Sequence, residues 1–372
     1  MHKENSAMKL TVHEIPGIYD GKTCYVHARA CALDDHNLLL TAQKLDVSGS
    51  DIFFPLEAFR SSDCGQSFRR DGEQPGFCAV HNPDGSRSLA CDYTHLLHKK
   101  TGVPLLCGHS VSYAPGLMIP VQGIPVFTAY HTYDISTQTY SRLQKIDVPE
   151  AVYPKGCATG CSQFIEEENG DILIPVSINR TSPAHFTTGV MRCSFDGHTL
   201  RFLEMSNELA WHEARGLFEG SLCKFGGKYY LTLRNDNHGF WSVSDDGRHF
   251  SQPKVWTWDT GLELPNYNTQ QHWLVCGGKL YLVYTRKCGS NDHVFRHRAP
   301  LFIAQVDTGT MTLLRHTEQI AVPERGARLG NFGVTQISEN KAIITVTEWM
   351  QPAGCENYGS NNALFVTTVE AD

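Results

Sequence analysis

The sequence predicts an all-β protein, and within that class a six-bladed β-propeller. Almost no stretch of ten or more residues has apolar positions at the helical spacing of three and four, whereas short runs rich in Val, Ile, Tyr and Phe recur between clusters of Gly, Asn and Asp. A second observation is a repeated turn followed by an apolar strand, and a third is a short signature that recurs in the turns. Together they indicate many short strands joined by tight connections.

The turn-and-strand repeat has six copies. They are DDHNLLLTAQ from Asp34, QGIPVFTAY from Gln122, ENGDILIPVSI from Glu168, KFGGKYYLTLRN from Lys224, CGGKLYLVYTR from Cys276 and SENKAIITVTEW from Ser338. Most successive copies lie about 50 to 60 residues apart, which is room for one four-stranded blade each. We therefore expect residues 1–372 to form a single propeller domain of six blades.

Two further segments bear on how many blades there are and how the ring closes. HNPDGSRSLACDY from His81 lies in the longer first interval and could be an additional hairpin, so seven blades are the alternative. The last strand, NNALFVTTVE from Asn361, is predicted to complete a blade with N-terminal residues, which would remove exposed strand edges.

Charge and apolar content exclude several classes of function. The chain has 32 Lys and Arg against 39 Asp and Glu, with no basic tract, which argues against a nucleic-acid or anionic-membrane partner. The N-terminal segment MHKENSAMKLTVHEIPG lacks the apolar run of a secretory signal, and no apolar stretch approaches the roughly 18 residues of a membrane span. We expect a soluble, cytoplasmic protein.

The 13 cysteines are scattered, and several lie inside apolar strands, as Cys91, Cys193, Cys223 and Cys276 do. Buried reduced thiols fit this pattern better than a disulfide framework. GCATGC, from Gly156, spaces two cysteines by three residues where metal pairs prefer two, and no second pair follows. We predict no metal site and no cofactor.

The turn signature consists of Ser, Asp, Gly and Phe at fixed spacing. SSDCGQSF from Ser61 carries it in full, VSDDGRHF from Val243 repeats it with Asp245 in the Asp position, and CSFDGHTLRF from Cys193 is a degenerate third copy. In such a turn Asp caps backbone amides and Gly adopts a backbone angle that other residues avoid. These stretches resemble the Asp-box (BNR) repeats of the sialidase, or neuraminidase, superfamily, of which the chain looks like a divergent member.

The resemblance implies an active site. In sialidases a Glu and one Arg of a carboxylate-binding triad lie on neighbouring strands about fifteen residues apart, and Glu219 and Arg234 match that setting. Arg286 ends the equivalent strand of the next blade and corresponds to the third Arg, with Arg296 and Arg298 as alternatives. An Arg fork binds a carboxylate bidentately, which Lys cannot do.

Other positions depart from the family pattern. The first Arg of the triad falls on YVHARACAL, where His27 takes its place and Arg29 lies two residues on, on the same strand face. The general acid corresponds to Asp46 or Asp51, with Asp46 preferred. Glu348 matches the Glu that supports the first Arg.

The tyrosine nucleophile of retaining sialidases has no counterpart here. The matching stretch, RGARLGNFGVTQ, has Asn331 and Phe332 instead. Tyr284, Tyr267 and Tyr358 are the candidates to replace it from other loops. Without a tyrosine, the chemistry is inverting, substrate-assisted, or not hydrolysis.

Several predicted loops are dense in His, Asn, Gln and Tyr, a composition that suits a glycan pocket. They are YNTQQHW from Tyr267, SNDHVFRHR from Ser290 and CGHSVSY from Cys107. Within them His272, His293 and His109 are predicted to bind substrate.

Three functions follow from the resemblance. The first is a glycoside hydrolase that cleaves a terminal acidic sugar, sialic acid or a relative, from an oligosaccharide or glycan. The second is a polysaccharide lyase acting on a uronate, favoured by the missing tyrosine and by His27 and His109. The third is a propeller that binds glycans without catalysis.

Overall fold

The structure, a computed structural model, describes residues 8–121, 126–149, 156–180, 185–289 and 291–371. Its strands are β1 (Lys9–Ile15), β2 (Thr23–Ala32), β3 (Leu38–Asp46), β4 (Phe53–Ser61), β5 (Arg69–Arg70), β6 (Val80–His81), β7 (Arg87–His98), β8 (Val103–Tyr113), β9 (Val126–Asp134), β10 (Thr139–Tyr140), β11 (Gln144–Lys145), β12 (Gly156–Ala158), β13 (Ile165–Glu166), β14 (Ile172–Asn179), β15 (Phe186–Phe195), β16 (Leu200–Met205), β17 (Phe218–Phe225), β18 (Lys228–Arg234), β19 (Gly239–Ser244), β20 (Lys254–Val255), β21 (His272–Cys276), β22 (Lys279–Thr285), β23 (Leu301–Asp307), β24 (Thr312–Leu313), β25 (Gln319–Val322), β26 (Gly333–Ser338), β27 (Lys341–Thr347) and β28 (Leu364–Glu370).

The helical content of the described residues is three short 3₁₀ turns: Pro75–Phe77, Arg315–Thr317 and Cys355–Tyr358. The prediction of an all-β protein is therefore confirmed. No helix among the described residues is long and apolar enough to cross a membrane.

The strands form antiparallel sheets that follow one another along the chain. Three of them have the orders β2-β3-β4-β5, β17-β18-β19-β20 and β21-β22-β23-β24, the last with β25 also paired to β23. Between the first and second of these, β6 to β16 form one larger sheet, whose two halves meet where β12 pairs in parallel with β9. The last sheet has the order β26-β27-β28-β1.

Every copy of the predicted repeat forms a strand: the copies give β3, β9, β14, β18, β22 and β27. Residues 122–125 of the second copy lie outside the described residues. The hairpin expected from His81 is present as β6 and β7. The predicted pairing of the last strand with N-terminal residues is also confirmed, because β28 pairs with β1 from Leu364 opposite Ile15 to Glu370 opposite Lys9.

Apolar side chains pack between neighbouring sheets. One cluster joins β21–β23 to β26–β28 around Phe332, and another joins β17–β20 to β21–β23 around Trp273. Strands near the beginnings of neighbouring sheets also pack on each other: β2 contacts β7 and β26, and β21 contacts β17 and β26. This packing brings the beginnings of several sheets together.

The tight turns follow the predicted chemistry with one change of register. Asp63 accepts a hydrogen bond from the Ser67 amide at 2.9 Å, as expected for the first copy of the signature. In the second copy Asp246, not Asp245, accepts the turn amides, and Asp245 pairs with Lys228 at 3.0 Å. The prediction for Asp245 is wrong because Ser244, rather than Val243, begins the turn.

All 13 cysteines are unpaired, and nine are buried. Cys91, Cys193 and Cys276 are among the buried ones, as predicted, and Cys223 is half-buried. They pack as small apolar side chains.

The core cluster around Phe332 gives a stability test. Phe332 is fully buried, and truncation to Ala should lower the free energy of unfolding by about 3 to 5 kcal/mol because it removes apolar contacts and leaves a cavity. Phe295 is 75% exposed, and Phe295→Ala should change the free energy of unfolding by less than about 0.5 kcal/mol. Denaturant unfolding of both variants measures this; equal losses would contradict the assigned packing.

Candidate functional site

Unusual backbone turns direct side chains toward one place. His27, Asp92 and Glu219 each have a positive φ, between 47° and 58°, and each lies at a bulge in β2, β7 or β17. Cys161, with φ 54°, precedes β13, and its amide donates to the Asp92 carbonyl at 3.0 Å. A left-handed conformation costs a residue with a Cβ roughly 1 to 2 kcal/mol. Such strain concentrates at functional sites, so these four residues mark the candidate site.

His27 and Asp92 form the centre of one half of the site. The Nε2 atom of His27 lies 2.8 Å from Asp92 Oδ1 and 2.5 Å from the Asn331 Nδ2 atom. On the other side of Asp92, Oδ2 lies 3.7 Å from His109 Nδ1. His109 Nε2 in turn contacts the Cys91 thiol at 3.1 Å. Burial acts to raise the pKa of Asp92, but His27 and His109 outweigh it and hold that pKa well below its usual range.

Glu219 and Arg234 form the other half. The Arg234 Nη1 atom donates to both carboxylate oxygens of Glu219, at 2.5 and 2.6 Å, while Nε and Nη2 donate to Asn268 Oδ1. Asn268 donates to Asp236, which also receives a forked pair from Arg215. This network leaves the guanidinium of Arg234 in a fixed position beside a carboxylate.

Arg298 lies near this pair without a partner of its own. Its side chain is only 5% exposed, its Nε is buried without a hydrogen-bond acceptor, and no carboxylate pairs with it among the described residues. Burial and the charge of Arg234 lower the pKa of Arg298 well below its usual range, while the charge of Glu219 acts in the opposite direction. The Nε of Arg296 is also unpartnered, and that side chain lies near Arg234 and Arg298. Buried, unpaired cations are costly, so this region is suited to an anion.

Asp51 lies close enough to His27, Asp92 and His109 for their charges to act on its carboxyl group. Although its side chain is accessible to solvent, loss of hydration and the charge of Asp92 raise its pKa; His109, His27 and Arg296 act in the opposite direction. We call the set His27, Asp51, Asp92, Glu219, Arg234 and Arg298 the central site. Sequence analysis predicted three of these and kept two more as alternatives.

Asp46, the preferred general acid, does not share this setting. Its carboxylate accepts a hydrogen bond from the Ser48 amide at 2.9 Å, and this bond lowers its pKa. Its task is to cap the turn between β3 and β4. Asp51, five residues later in that turn, is the carboxyl that lies near His27 and Asp92.

Arg286 is not brought to Glu219 and Arg234 by any described contact. Its Nε and Nη2 form a forked pair with Glu318, at 2.8 and 2.6 Å, and its guanidinium lies over the Phe302 ring. Its charge is therefore already balanced. The two alternatives, Arg296 and Arg298, are the arginines near Arg234.

Two more predicted binding residues are occupied within the fold. Buried Arg29 donates to the carbonyls of Phe332 and Tyr93 and to Gln270. Glu348 is buried, but it pairs with Arg325 at 2.6 Å instead of supporting His27 or Arg29. These contacts indicate that Arg29 and Glu348 stabilise the fold.

The predicted histidines differ from one another. His272 is buried, contacts Ser221 Oγ at 2.7 Å, and has a pKa lowered well below its usual range, first by burial and then by the charge of Arg29. His293 is exposed, and the first residue of its predicted loop, Ser290, lies outside the described residues. Among the three, His109 is the one beside Asp92.

None of the candidate tyrosines bonds to Glu219. Tyr267 donates to Asp292 at 2.9 Å, Tyr284 donates to Glu318 at 2.6 Å, and Tyr358 is 76% exposed. Among the described residues, the hydrogen bonds of the Glu219 carboxylate are both to Arg234.

No model of a known protein family matches the chain, and no curated protein matches it. Solved structures do match. A protein of unknown function from Dyadobacter fermentans DSM 18053 has a TM-score of 0.70 at 16% identity, covering 98% of this chain and 100% of that one. Trypanosoma rangeli sialidase has a TM-score of 0.62 at 15% identity over 96% of this chain, and a Hadza microbial sialidase has 0.63 at 13% over 94%.

These likenesses show that the chain has a sialidase-like propeller fold. The chain spans 57% of the length of the Trypanosoma rangeli structure and 65% of the Hadza one. At such low identity the shared property is the fold.

Sequence reasoning missed Asp92 as a site residue. Asp92 lies within HNPDGSRSLACDY, a stretch that predicts only an additional hairpin. The sequence suggests Cys161 only as a possible metal-binding pair with Cys157. A polar residue inside the apolar strand LACDYTHLL is the signal that could have indicated Asp92.

Asp51 and Asp46 should affect stability in opposite directions. The pKa of Asp51 is raised in the folded state, so its contribution to stability is present at low pH and is lost as pH rises through that pKa. Asn has no charge to lose, so Asp51→Asn should increase the free energy of unfolding at pH 7. Because the pKa of Asp46 is lowered, its contribution to stability is present at neutral pH, and Asp46→Asn should decrease the free energy of unfolding there. Both differences should shrink as pH falls below the usual Asp range. Urea unfolding from pH 3 to 8 measures them; a stabilising Asp46→Asn would refute the assignment.

Proposed function

We propose that the protein is a sialidase-like glycoside hydrolase that removes a terminal acidic sugar, sialic acid or a relative, from a glycan. The observation that carries this proposal is the Glu219–Arg234 pair next to buried Arg298, which has no carboxylate partner among the described residues. A carboxylated ligand would supply the missing negative charge where the protein has left cations unpaired.

We further propose that residues 1–372 form one six-bladed propeller. In this proposal the large sheet of β6 to β16 counts as two blades joined at β12, and the ring would be closed by the last sheet, in which β1 pairs with β28. On this reading the bulges in β2, β7 and β17 lie at matching points of their blades, around the central axis.

The arginines would hold the sugar carboxylate. Arg234 is positioned by Asn268 and Glu219, and the buried Nε of nearby Arg298 has no hydrogen-bond acceptor among the described residues. Arg296 adds positive charge to the same region. This pair replaces the predicted pair of Arg234 with Arg286.

Proton transfer would be divided between Asp51 and Glu219. Because the pKa of Asp51 is raised, the protonated form that a general acid needs persists to higher pH than in an ordinary Asp. Glu219, paired with Arg234, would activate a water molecule and stabilise the oxocarbenium-like transition state. Since no candidate tyrosine bonds to Glu219, attack by water predicts inversion at the anomeric carbon.

Activity is tested by incubating the protein with α-linked glycosides of sialic acids and with uronic-acid glycosides, and by identifying released sugars by chromatography. Glu219→Gln should lower kcat at least about a hundredfold, the usual range for a general base. Glu213→Gln is the control, because its half-exposed carboxylate lies outside the central site. Turnover unchanged in Glu219→Gln would refute the enzymatic proposal, and binding without turnover would leave a glycan-binding propeller.

Arg298 and Arg286 can be distinguished by ligand affinity. Arg298→Gln should weaken binding of a sialic acid by about 1.5 to 3 kcal/mol, or roughly 10- to 150-fold in Kd, because one charge-assisted hydrogen bond is lost. Arg286→Gln should leave the Kd within about twofold, since Glu318 already pairs with Arg286. Isothermal titration calorimetry measures both; the reverse pattern would restore Arg286 as the carboxylate ligand.

A second candidate is a polysaccharide lyase acting on a uronate. The observation in its favour is that His27 and His109 flank Asp92 where a retaining sialidase would place other groups. Elimination forms a carbon–carbon double bond in the product, whereas hydrolysis does not. An increase in ultraviolet absorbance on incubation with uronate-containing polysaccharides would therefore favour the lyase.

A further inference from the structure

The side chains around Asp92 include every kind of ligand that zinc uses. His27, Asp92 and Cys161 each offer one ligand atom, and the three atoms lie within 4.8 Å of one another. Cys91, Asp92 and His109 form a second such group that shares Asp92. In tetrahedral zinc sites, bond lengths of about 2.0 to 2.3 Å place ligand atoms about 3.3 to 3.8 Å apart. The 4.8 Å limit exceeds that spacing by about 1 Å.

The pattern of acceptor atoms is unusual for a simple His–Asp hydrogen bond. Asp92 Oδ1 lies 2.8 Å from His27 Nε2, yet this buried oxygen has no hydrogen bond of acceptable geometry. The Asn331 amide approaches the same nitrogen at 2.5 Å. If Nε2 is unprotonated, its single lone pair can accept either the Asn331 amide or a metal ion, and the nearby Asp92 Oδ1 repels that lone pair. A cation between them removes that repulsion.

The backbone brings Cys161 to this place. A side chain at position 160 would come within 2.5 Å of His109 Nδ1 and 3.4 Å of Asp92 Cβ, so only Gly160 allows this close approach. The strained φ angles of His27, Asp92 and Cys161 aim all three side chains at one point. Burial raises the pKa of the Cys161 thiol, so a bound metal ion would have to displace the thiol proton.

We propose that His27, Asp92 and Cys161 bind a divalent transition metal, with zinc the best fit, and that His109 or Cys91 completes the coordination. A thiolate, an imidazole and one carboxylate form a borderline-soft donor set that favours zinc over magnesium or calcium, which prefer oxygen ligands alone. The sequence-based prediction of no metal site rested on the spacing of Cys157 and Cys161. The proposed site uses Cys161 with residues distant in the chain, and it does not depend on the proposed hydrolase activity.

The test measures zinc on tag-free, full-length protein by equilibrium dialysis with metal analysis. We expect about one zinc per chain, and at least tenfold weaker binding in both Cys161→Ser and Asp92→Asn. Cys157→Ser is the matched control: Cys157 is buried in β12, four residues from Cys161, and belongs to neither ligand group. It should bind zinc like the unaltered protein.

Cobalt substitution of the unaltered protein provides a readout that needs no variant to fold. A thiolate ligand gives a sulfur-to-cobalt charge-transfer band in the near ultraviolet. This band should be absent in Cys161→Ser if His109 is the fourth ligand, and weaker than in the unaltered protein if Cys91 is. Failure of the unaltered protein to bind zinc, or absence of that band in it, would overturn the proposal. So would equal zinc affinity in folded Cys157→Ser and Cys161→Ser.

Discussion

The central site depends on one backbone constraint: residues with a Cβ are held in left-handed conformation where an inner strand bulges. His27, Asp92 and Glu219 all have this conformation. In a regular strand each of their side chains would point in a different direction, because successive side chains alternate between the two faces of a strand. Cross-strand pairing on both sides of each bulge opposes relaxation of the strain. The rigid sheets thus impose a geometry that isolated strands would not adopt.

Charge within the site is divided between two regions. Around Asp92, one carboxylate is surrounded by His27, His109 and Arg29. Around Arg298, buried cations exceed the carboxylates that reach them. Elsewhere in the fold, arginines such as Arg286 and Arg325 are satisfied by forked pairs with glutamates. The contrast suits recognition of an anion at Arg298 and of a cation at Asp92.

Local patterns predicted much of the fold, because they report on local forces. The apolar repeat gave all six predicted strands, and the hairpin from His81 formed as expected. In the second turn, Asp246 instead of the predicted Asp245 accepts the turn amides. The sequence does not distinguish two adjacent aspartates in this role. For the site, the Glu219 and Arg234 pairing was foreseeable because β17 and β18 are neighbours in sequence.

The sequence by itself determined the all-β class, the strand repeat and the adjacency of Glu219 to Arg234, since these follow from side-chain alternation and short-range pairing. Only the tertiary structure decided which of several similar residues converge. Asp51 rather than Asp46 lies near Asp92, and Arg298 rather than Arg286 lies near Arg234. Asp51 and Asp92 are 41 residues apart in the chain, and Arg234 and Arg298 are 64 apart. Over such separations, bulges and packing between sheets set side-chain direction, and no local pattern records the outcome.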